Sequence, residues 1–582
     1  MVREVLHIFT SFRKGTMAMR AGNVAMALAV CLVVTSESTG AWHVWTVTET
    51  RRLLRADPPQ KRLAVKLAGA KNEWESFQIL MRSDVPVNGI ALVPGDLVGP
   101  DGTVLPASQT RIYRQHQLEL THGTYRNEEF RPGWYPDPLI PLRHPLTRRP
   151  LEGGRFVAVP FDLPPEQTHG FWVDLYVPTD APAGRYRGTY RVTAAGRQTA
   201  EIPVQLVVWD FALPRVSTFR TALGSPAARM RSYYRRRAQA GKEPEPEDWA
   251  EVDEQCAELL SRHRVNATPP PGSLAPEEQP DGSFRIPDEQ IEAFRRFVDR
   301  YHVNAFRVPH PRSVVRDPVA QAERLARWLA AWDRAAERLD RPQVIFYTYL
   351  KDEPNDEEAY RYVQTWGRAI RQCRSVLKVL VVEQTWPQND DWGDLCGAVD
   401  IWCPLFPLFR AESAAKRQAL GETVWTYTAL CQREPTPWWH IDFPLLNYRV
   451  PAWIAWRYRI QGILYWGGMS YWQGVEDPWT DPKTLDRRRG RPQPLYNGEG
   501  TLVYPGRAVG YEGIAPSLRL KALRDAIEDY EYLAILERHG LADQAQQLIL
   551  PLATSWFQWE KDPSAYEKTR RRLAELILRS ER

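Results

Sequence analysis

From Pro214 onward the sequence alternates short apolar, β-rich runs with amphipathic helical stretches, and few architectures accept that rhythm. Eight such runs occur, at 219–224, 265–269, 305–309, 344–350, 379–385, 399–405, 423–430 and 462–466. Helical periodicity fills most of the gaps, at 288–301, 318–339 and 356–373. Eight strand–helix units over this length are what a TIM-like (β/α)8 barrel requires, and the expected barrel spans 214–512. The tail, 513–582, reads as charged C-terminal helices over 517–538 and 541–579, packed on the barrel's flank.

Residues 42–213 follow a different rule. Runs such as EWESFQIL (73–80), FWVDLYV (171–177) and IPVQLVVW (202–209) alternate or run apolar, and Pro/Gly/Asp turns separate them. Short strands at this spacing predict an N-terminal β-sandwich, with the proline-rich stretch 131–150 as a long loop. The expected fold is therefore multidomain, a β-sandwich followed by an α/β barrel with C-terminal helices.

The first 41 residues read as a signal peptide. Arg3, Arg13, Lys14 and Arg20 stand against a single acid, Glu4, then an apolar run follows at 24–34 and a small, polar exit at 35–41. The apolar run is shorter than the ~20 residues that span a bilayer. Export to the periplasm, cell surface or medium is the expectation, with no membrane span after leader removal. An uncleaved anchor, or a later start at Met17 or Met19, is the alternative.

Composition narrows the partners. Lys plus Arg number 76 and Asp plus Glu 71, a net charge of +5 with no continuous basic stripe, which argues against nucleic acid. Tryptophan (23) and tyrosine (24) exceed what a core requires, and flat aromatic faces stack on sugar rings. Cys256, Cys373, Cys396, Cys403 and Cys431 show neither a disulfide framework nor zinc spacing, although one bridge among the last three is open. The histidines form no HExxH or HxH cluster, so neither metal nor cofactor is expected.

The fourth barrel strand ends YLKDEP (349–354), with a helix just beyond. Catalytic groups in a barrel sit at the carboxyl ends of the strands, so Asp352 and Glu353 should project into the mouth. The competing reading is structural, because acids before a proline at a helix start are common caps. Aromatic residues at neighbouring strand ends favour the catalytic reading. They are Trp386, Trp402, Tyr427, Tyr465, Trp466 and Trp472, with Glu383, Arg449, Glu476, Asp477, Asn497 and Glu499 as polar groups close by. The basic runs 235–237 and 487–489 read as solvated faces, with contact to an anionic substrate as the alternative.

Several stretches resemble glycoside hydrolase family 123, the β-N-acetylgalactosaminidases and their relatives. They are YLKDEP (349–354), VWTY (424–427), HIDFP (440–444) leading to Arg449, GILYWG (462–467) through DPW (477–479), NGEGTLVYPG (497–506) and SLRLKALRDAIEDYEY (517–532). In the N-terminal part, NEWESFQ (72–78) and GWYPDPL (133–139) resemble the family's sandwich domain. Where the family commonly carries a Trp-Tyr-Thr-Cys-like run, this chain has WTYTALC (425–431).

The resemblance implies a retaining, substrate-assisted hydrolysis of β-linked 2-acetamido sugars, an exception to the two-carboxylate rule. It casts Asp352 as the residue that orients the acetamide and Glu353 as the general acid and base. Trp386, Tyr427, Arg449, Trp466, Trp472 and Asn497 are the expected substrate-binding residues, and a glycan or glycoconjugate is the expected partner. Two other readings remain open at this point. One is a two-carboxylate glycosidase using Glu383, Glu476 or Glu499 beside Glu353, and the other is a non-catalytic glycan-binding surface protein.

Overall fold

The structure is a computed structural model that describes residues 41–581 apart from 431, 433, 434, 467, 482 and 486–494. The leader at 1–41 thus falls, but for Ala41, outside the described residues, as do Cys431 and the basic run 487–489.

The N-terminal part is β-rich. One sheet runs Trp42–Thr48, Glu73–Ser83, His169–Val177, Thr110–Leu120, Gly133–Pro141, with every neighbour antiparallel. A second contains Val65–Lys71, Ala200–Ala212, Gly184–Thr193, Val87–Val93 and Phe161–Leu163. Alternation sets the shared core: Phe171, Val173, Leu175 and Val177 pack with Ile79, Tyr186, Val204 and Leu206. The opposite face of the first sheet is covered too, because Trp172 belongs to a different core and Asp174 is buried. Both faces being buried explains why 171–177 reads as a nearly unbroken apolar run.

The stretch 131–150 is not wholly a loop, since Gly133–Pro141 is a strand despite Pro136, Pro138 and Pro141. It lies at the end of its sheet and its pairing with Thr110–Leu120 shifts register between Gln115 and Gln117. An edge position with a bulge tolerates missing N–H donors, which is why a proline-based loop expectation failed here.

The second half is mixed α/β with parallel strands, numbered here β1 (Arg220–Ala222), β2 (Ala305–Val308), β3 (Ile345–Asp352), β4 (Lys378–Val382), β5 (Ile401–Trp402), β6 (Thr423–Val424), β7 (Thr426–Thr428) and β8 (Gly462–Tyr465). β2 to β6 pair in order, all parallel, and β7 pairs β8, which pairs β1. β6 and β7 are one run of chain broken only at Trp425, so the two sheets share that run. The expected strand at 265–269 does not form. Pro269, Pro270 and Pro271 lack donors, and Asn266 instead links β1 and β2, its backbone N–H donating to Thr221 Oγ1 (2.7 Å) and its side chain donating to Ala305 O.

Helices cover one face of these strands. α1 (Pro226–Gln239), α2 (Trp249–Arg262), α3 (Asp288–Tyr301), α4 (Ala322–Leu339), α5 (Glu357–Gln372), α6 (Ala411–Ala419) and α7 (Leu446–Arg457) intervene along the chain. Phe294, Trp328, Trp332 and Trp366 from α3–α5 pack on Phe306, Phe346, Leu350, Val379 and Val381. The opposite strand face gathers Ala305, Tyr347, Leu380, Val382, Ile401, Cys403, Tyr427 and Leu464 into a separate core. Strands sealed on both sides account for the continuous apolar runs of the sequence.

α8 (Leu518–Arg538) does not lie on a flank. It is buried from Leu518 to Leu536, with α9 (Ala542–Ile549) and α10 (Pro563–Ser580) beyond it. Its charged residues are paired across the molecule: Arg519 with Asp137 (2.9 Å), Lys521 with Asp174 (2.6 Å), and Asp529 with Arg449 (2.6 Å). Burial works to raise the pKa of Asp174, but Arg524 and Lys521 outweigh it and hold the carboxyl well below its ordinary range. Leu520, Leu523, Ile527, Tyr530 and Ala534 recur at helical spacing and pack in the core, and the charged positions on the other faces of the helix are buried as ion pairs. Among the described residues no helix is long and apolar enough to cross a membrane.

Candidate active site

The placement of Asp352 and Glu353 begins with the register of β3. Tyr349 is opposite Leu380 of β4, but Lys351 is opposite Val381, so one residue of β3 has no partner. That is a bulge, two residues facing one. Before it, Ile345, Tyr347 and Tyr349 face the inner core, and Phe346 and Leu350 the helix-covered core. Strict alternation would send Asp352 outward with Leu350. The bulge instead leaves Lys351 on the helix side, with its Nζ 5.9 Å from the Tyr362 ring of α5. It returns Asp352 to the side of Tyr349, whose hydroxyl donates to Asp352 Oδ1 at 2.7 Å.

Glu353 is turned by its own backbone. Its φ is 41°, in the left-handed region that costs a non-glycine residue about 1–3 kcal/mol. Its N–H donates to Val382 O (3.1 Å), which fixes the turn against β4. Its Oε1 accepts from the Tyr427 hydroxyl of β7. Both acids are solvent-exposed and lie at the carboxyl end of a parallel strand. The capping role belongs to neither: Asp356 is the N-cap of α5, accepting from Ala359 N–H at 2.7 Å.

A polar cluster braces the turn from behind. Gln388 Nε2 donates to Pro354 O (3.2 Å), to Asn355 Oδ1 (3.0 Å) and to both oxygens of Glu383 (3.0 Å each). Tyr360 of α5 donates to Glu383 as well, at 3.0 Å. Burial lifts the Glu383 pKa to about 7, and the nearby charge of Glu353 adds to the rise. Burial and the adjacent Asp352 charge also push Tyr349 well above the usual tyrosine range, so its hydroxyl stays a donor.

Of the six expected binding residues, Tyr427, Trp386 and Trp466 follow or end parallel strands with part of their surface or a hydroxyl on the carboxyl-end side, and three are locked in the interior. Tyr427 touches Glu353. Trp386 is half-buried, its Nε1 donating to Leu408 O (3.2 Å), with the Arg410 guanidinium 3.5 Å over its ring. Trp466 is half-buried and donates through Nε1 to Glu499, with Tyr471 at 5.1 Å. Arg449 is 1% exposed and gives its donors to Asp529, Glu49 and Glu567, leaving none for a sugar. Trp472 is 2% exposed, donates to Val503 O (3.0 Å) and meets Tyr233 edge-on at 5.1 Å. Asn497 is fully buried and ties its loop to the N-terminal part, donating to His122 O (2.9 Å) and Thr124 Oγ1 (3.0 Å). These three hold the fold instead of lining the mouth.

The other acids are similarly resolved. Glu476 is exposed and paired with Lys242 at 2.8 Å. Glu499 is fully buried under Trp466, and His440 Nδ1 lies 3.3 Å from its Oε2. Burial raises Glu499 to about 8 and drives His440 well below its ordinary value. Glu383 faces away from the mouth with both oxygens occupied. Among the described residues no group of three or more His, Cys, Asp or Glu side chains could hold a metal ion.

Tyr349, Tyr360 and Gln388 belong to this site, and the sequence did not mark them. Tyr349 stands three before Asp352, a spacing that strand alternation puts on opposite faces, and nothing local to the sequence announces the bulge.

Two family models match the chain. Residues 341–536 match the catalytic domain of glycoside hydrolase 123, and residues 45–194 match the glycoside hydrolase 123 N-terminal domain. A search of curated proteins found no match. A solved family 123 glycoside hydrolase from Clostridium perfringens, described for glycolipid glycan hydrolysis, is similar in fold at 13% identity. The match covers 92% of this chain and 97% of that one with a TM-score of 0.63. A family 5 xyloglucanase from Bacteroides ovatus is matched over 83% of this chain and 99% of its own at 9% identity, but its TM-score of 0.24 is too low to bear on the fold.

Proposed function

Because the chain belongs to glycoside hydrolase family 123, whose members hydrolyse glycans, we propose that it cleaves β-linked 2-acetamido sugars of the N-acetylgalactosamine type by substrate-assisted retention. The observation that carries the reading is the bulge-and-turn geometry of two adjacent, exposed acids, each with a tyrosine hydroxyl on one oxygen and, among the described residues, no hydrogen bond to its second.

Asp352 Oδ2 accepts the substrate's acetamide N–H, which turns the acetamide carbonyl oxygen toward the anomeric carbon. That oxygen bonds to the anomeric carbon as the glycosidic C–O bond breaks, and the leaving oxygen takes the proton of Glu353. The resulting oxazolinium ring is stabilised by the Asp352 charge. Glu353, now a carboxylate, removes a proton from water, water adds to the anomeric carbon, and the acetamide is restored. Neither acid needs to reach the anomeric carbon, so adjacency is no obstacle. A two-carboxylate mechanism needs a second acid in the mouth, and Glu383, Glu476 and Glu499 are each engaged elsewhere.

The parallel strands, with 265–269 bridging β2 and β1, are read as a closed (β/α)8 barrel whose carboxyl-end mouth holds the site. Export follows from the charged and apolar leader at 1–41, and fractionation of the producing cell tests it. The catalytic reading is tested by Glu353→Gln on chromogenic 2-acetamido glycosides. Turnover should fall by at least ~100-fold with the melting temperature unchanged. Undiminished turnover removes Glu353 from the chemistry.

A further inference from the structure

Three arginines stand on the carboxyl-end side of the parallel strands without a carboxylate partner. Arg307 is the third residue of β2, and its guanidinium lies 4.5 Å from the centroid of the Tyr349 ring that bonds Asp352. Arg410, in the connection from β5 to α6, lies 3.5 Å over Trp386. Arg229, at the start of α1 just after β1, lies 5.1 Å from the Tyr471 ring, itself 5.1 Å from Trp466. Among the described residues none of the three makes an ion pair, whereas arginines at the inner interface do, as with Arg449, Arg519 and Arg570.

Stacking and ion pairing use different parts of a guanidinium. Its face lies on the ring, while its five N–H donors radiate in the plane and stay free for a bidentate acceptor. An arginine held by an aromatic ring is therefore oriented but unsatisfied. Arg229 is also half-buried, and the loss of water lowers its pKa, so its charge is desolvated with no carboxylate partner among the described residues. Cations on three different elements thus lie on the carboxyl-end side of the strands, as the two acids do, and Arg307 is tied to Asp352 through Tyr349.

We propose that the glycan recognised here carries an anionic group, a sulfate ester or a carboxylate, on or beside the sugar that is cleaved, and that Arg307 is its principal reader with Arg229 and Arg410 flanking. This rests on the glycosidase reading for the identity of the sugar. The N–H fork of Arg307 bonds two anion oxygens while its face remains on Tyr349, so binding the anion leaves the Tyr349–Asp352 hydrogen bond intact. Selectivity for charged over neutral glycan follows at the binding step, and it weakens as salt screens the exposed arginines.

Equilibrium binding by calorimetry tests this without requiring turnover. The ligands are N-acetylgalactosamine, its 4-sulfate and 6-sulfate, and a sialylated N-acetylgalactosamine disaccharide, each at low and high salt. At least one anionic ligand should bind about tenfold or more tightly than the neutral sugar at low salt, consistent with a hydrogen bond to a charged group. The sulfate and sialyl arms tell the two anion sources apart. Arg307→Gln should erase that preference, with the loss of affinity falling on the anionic ligand rather than on the neutral sugar, and Arg410→Gln, with the same readout, is the second variant should the first not fold. Equal affinity of wild type for charged and neutral ligands overturns the proposal, as does an equal loss for both in Arg307→Gln. Failure to cleave any neutral 2-acetamido glycoside counts instead against the catalytic reading, so the two failures are distinguishable.

Discussion

The buried carboxyl under Trp466 offers a test of the site's electrostatics that needs no substrate. Glu499 is fully buried, accepts from the Trp466 indole, and has its pKa raised by burial from 4.5 to about 8. Unfolding returns it to water and to its ordinary value. Between pH 4.5 and about 8 the folded protein keeps a proton that the unfolded chain releases. The stability associated with this group is therefore fully present below pH 4.5 and is lost as pH rises through about 8. At about 1.4 kcal/mol per pH unit, the loss across that window sums to roughly 5 kcal/mol as a ceiling.

Glu499→Gln keeps the oxygen that the indole donates to and cannot ionise. Glu49 and Glu528, which burial also raises to about 8, are present in both proteins and cancel in the difference. Urea unfolding of both proteins at intervals from pH 5 to pH 9 should show the wild type falling steadily behind the variant until about pH 8, after which the gap is constant. Parallel curves across the range, or a wild type that gains on the variant, would refute the claim that a neutral carboxyl supports Trp466.

The backbone at Glu353 predicts a separation of stability from activity. Glu353→Gly should abolish turnover yet raise stability in urea unfolding by up to ~1 kcal/mol, because glycine is free of the strain that glutamate carries at that φ, whereas Glu353→Ala should abolish turnover with no such gain. Tyr427→Phe removes the hydroxyl donated to Glu353 and should lower kcat/KM about 10- to 100-fold while displacing the pH–rate profile, read on a chromogenic glycoside. Asp174→Asn leaves Lys521 and Arg524 without their shared buried partner and should cost about 3–5 kcal/mol in chemical denaturation at neutral pH.

What the sequence disclosed follows periodicity and local chemistry. The helix expected at 288–301 is α3, Asp288–Tyr301, because an amphipathic stripe is written every three or four residues. Strands buried on both faces announced themselves as unbroken apolar runs. Asp352 and Glu353 were legible from their position before Pro354, but the way both come to face one space was not. That depends on a register slip between β3 and β4, a property of two segments about 30 residues apart. The same limit explains Arg449, Trp472 and Asn497, whose partners are distant in sequence: Asp529, Tyr233 and His122. Polar and aromatic residues satisfied across the core look, one at a time, like residues waiting for a ligand.

The proposed chemistry makes the substrate's own acetamide oxygen, steered by Asp352, the nucleophile. A series of aryl glycosides whose N-acetyl methyl carries none, one, two or three fluorines grades that oxygen's nucleophilicity without changing the leaving group. With the acetamide as nucleophile, kcat/KM should fall steeply and monotonically with each fluorine, and Asp352→Ala should flatten what rate remains. A series with equal rates would overturn this and make an enzyme carboxylate or water the nucleophile.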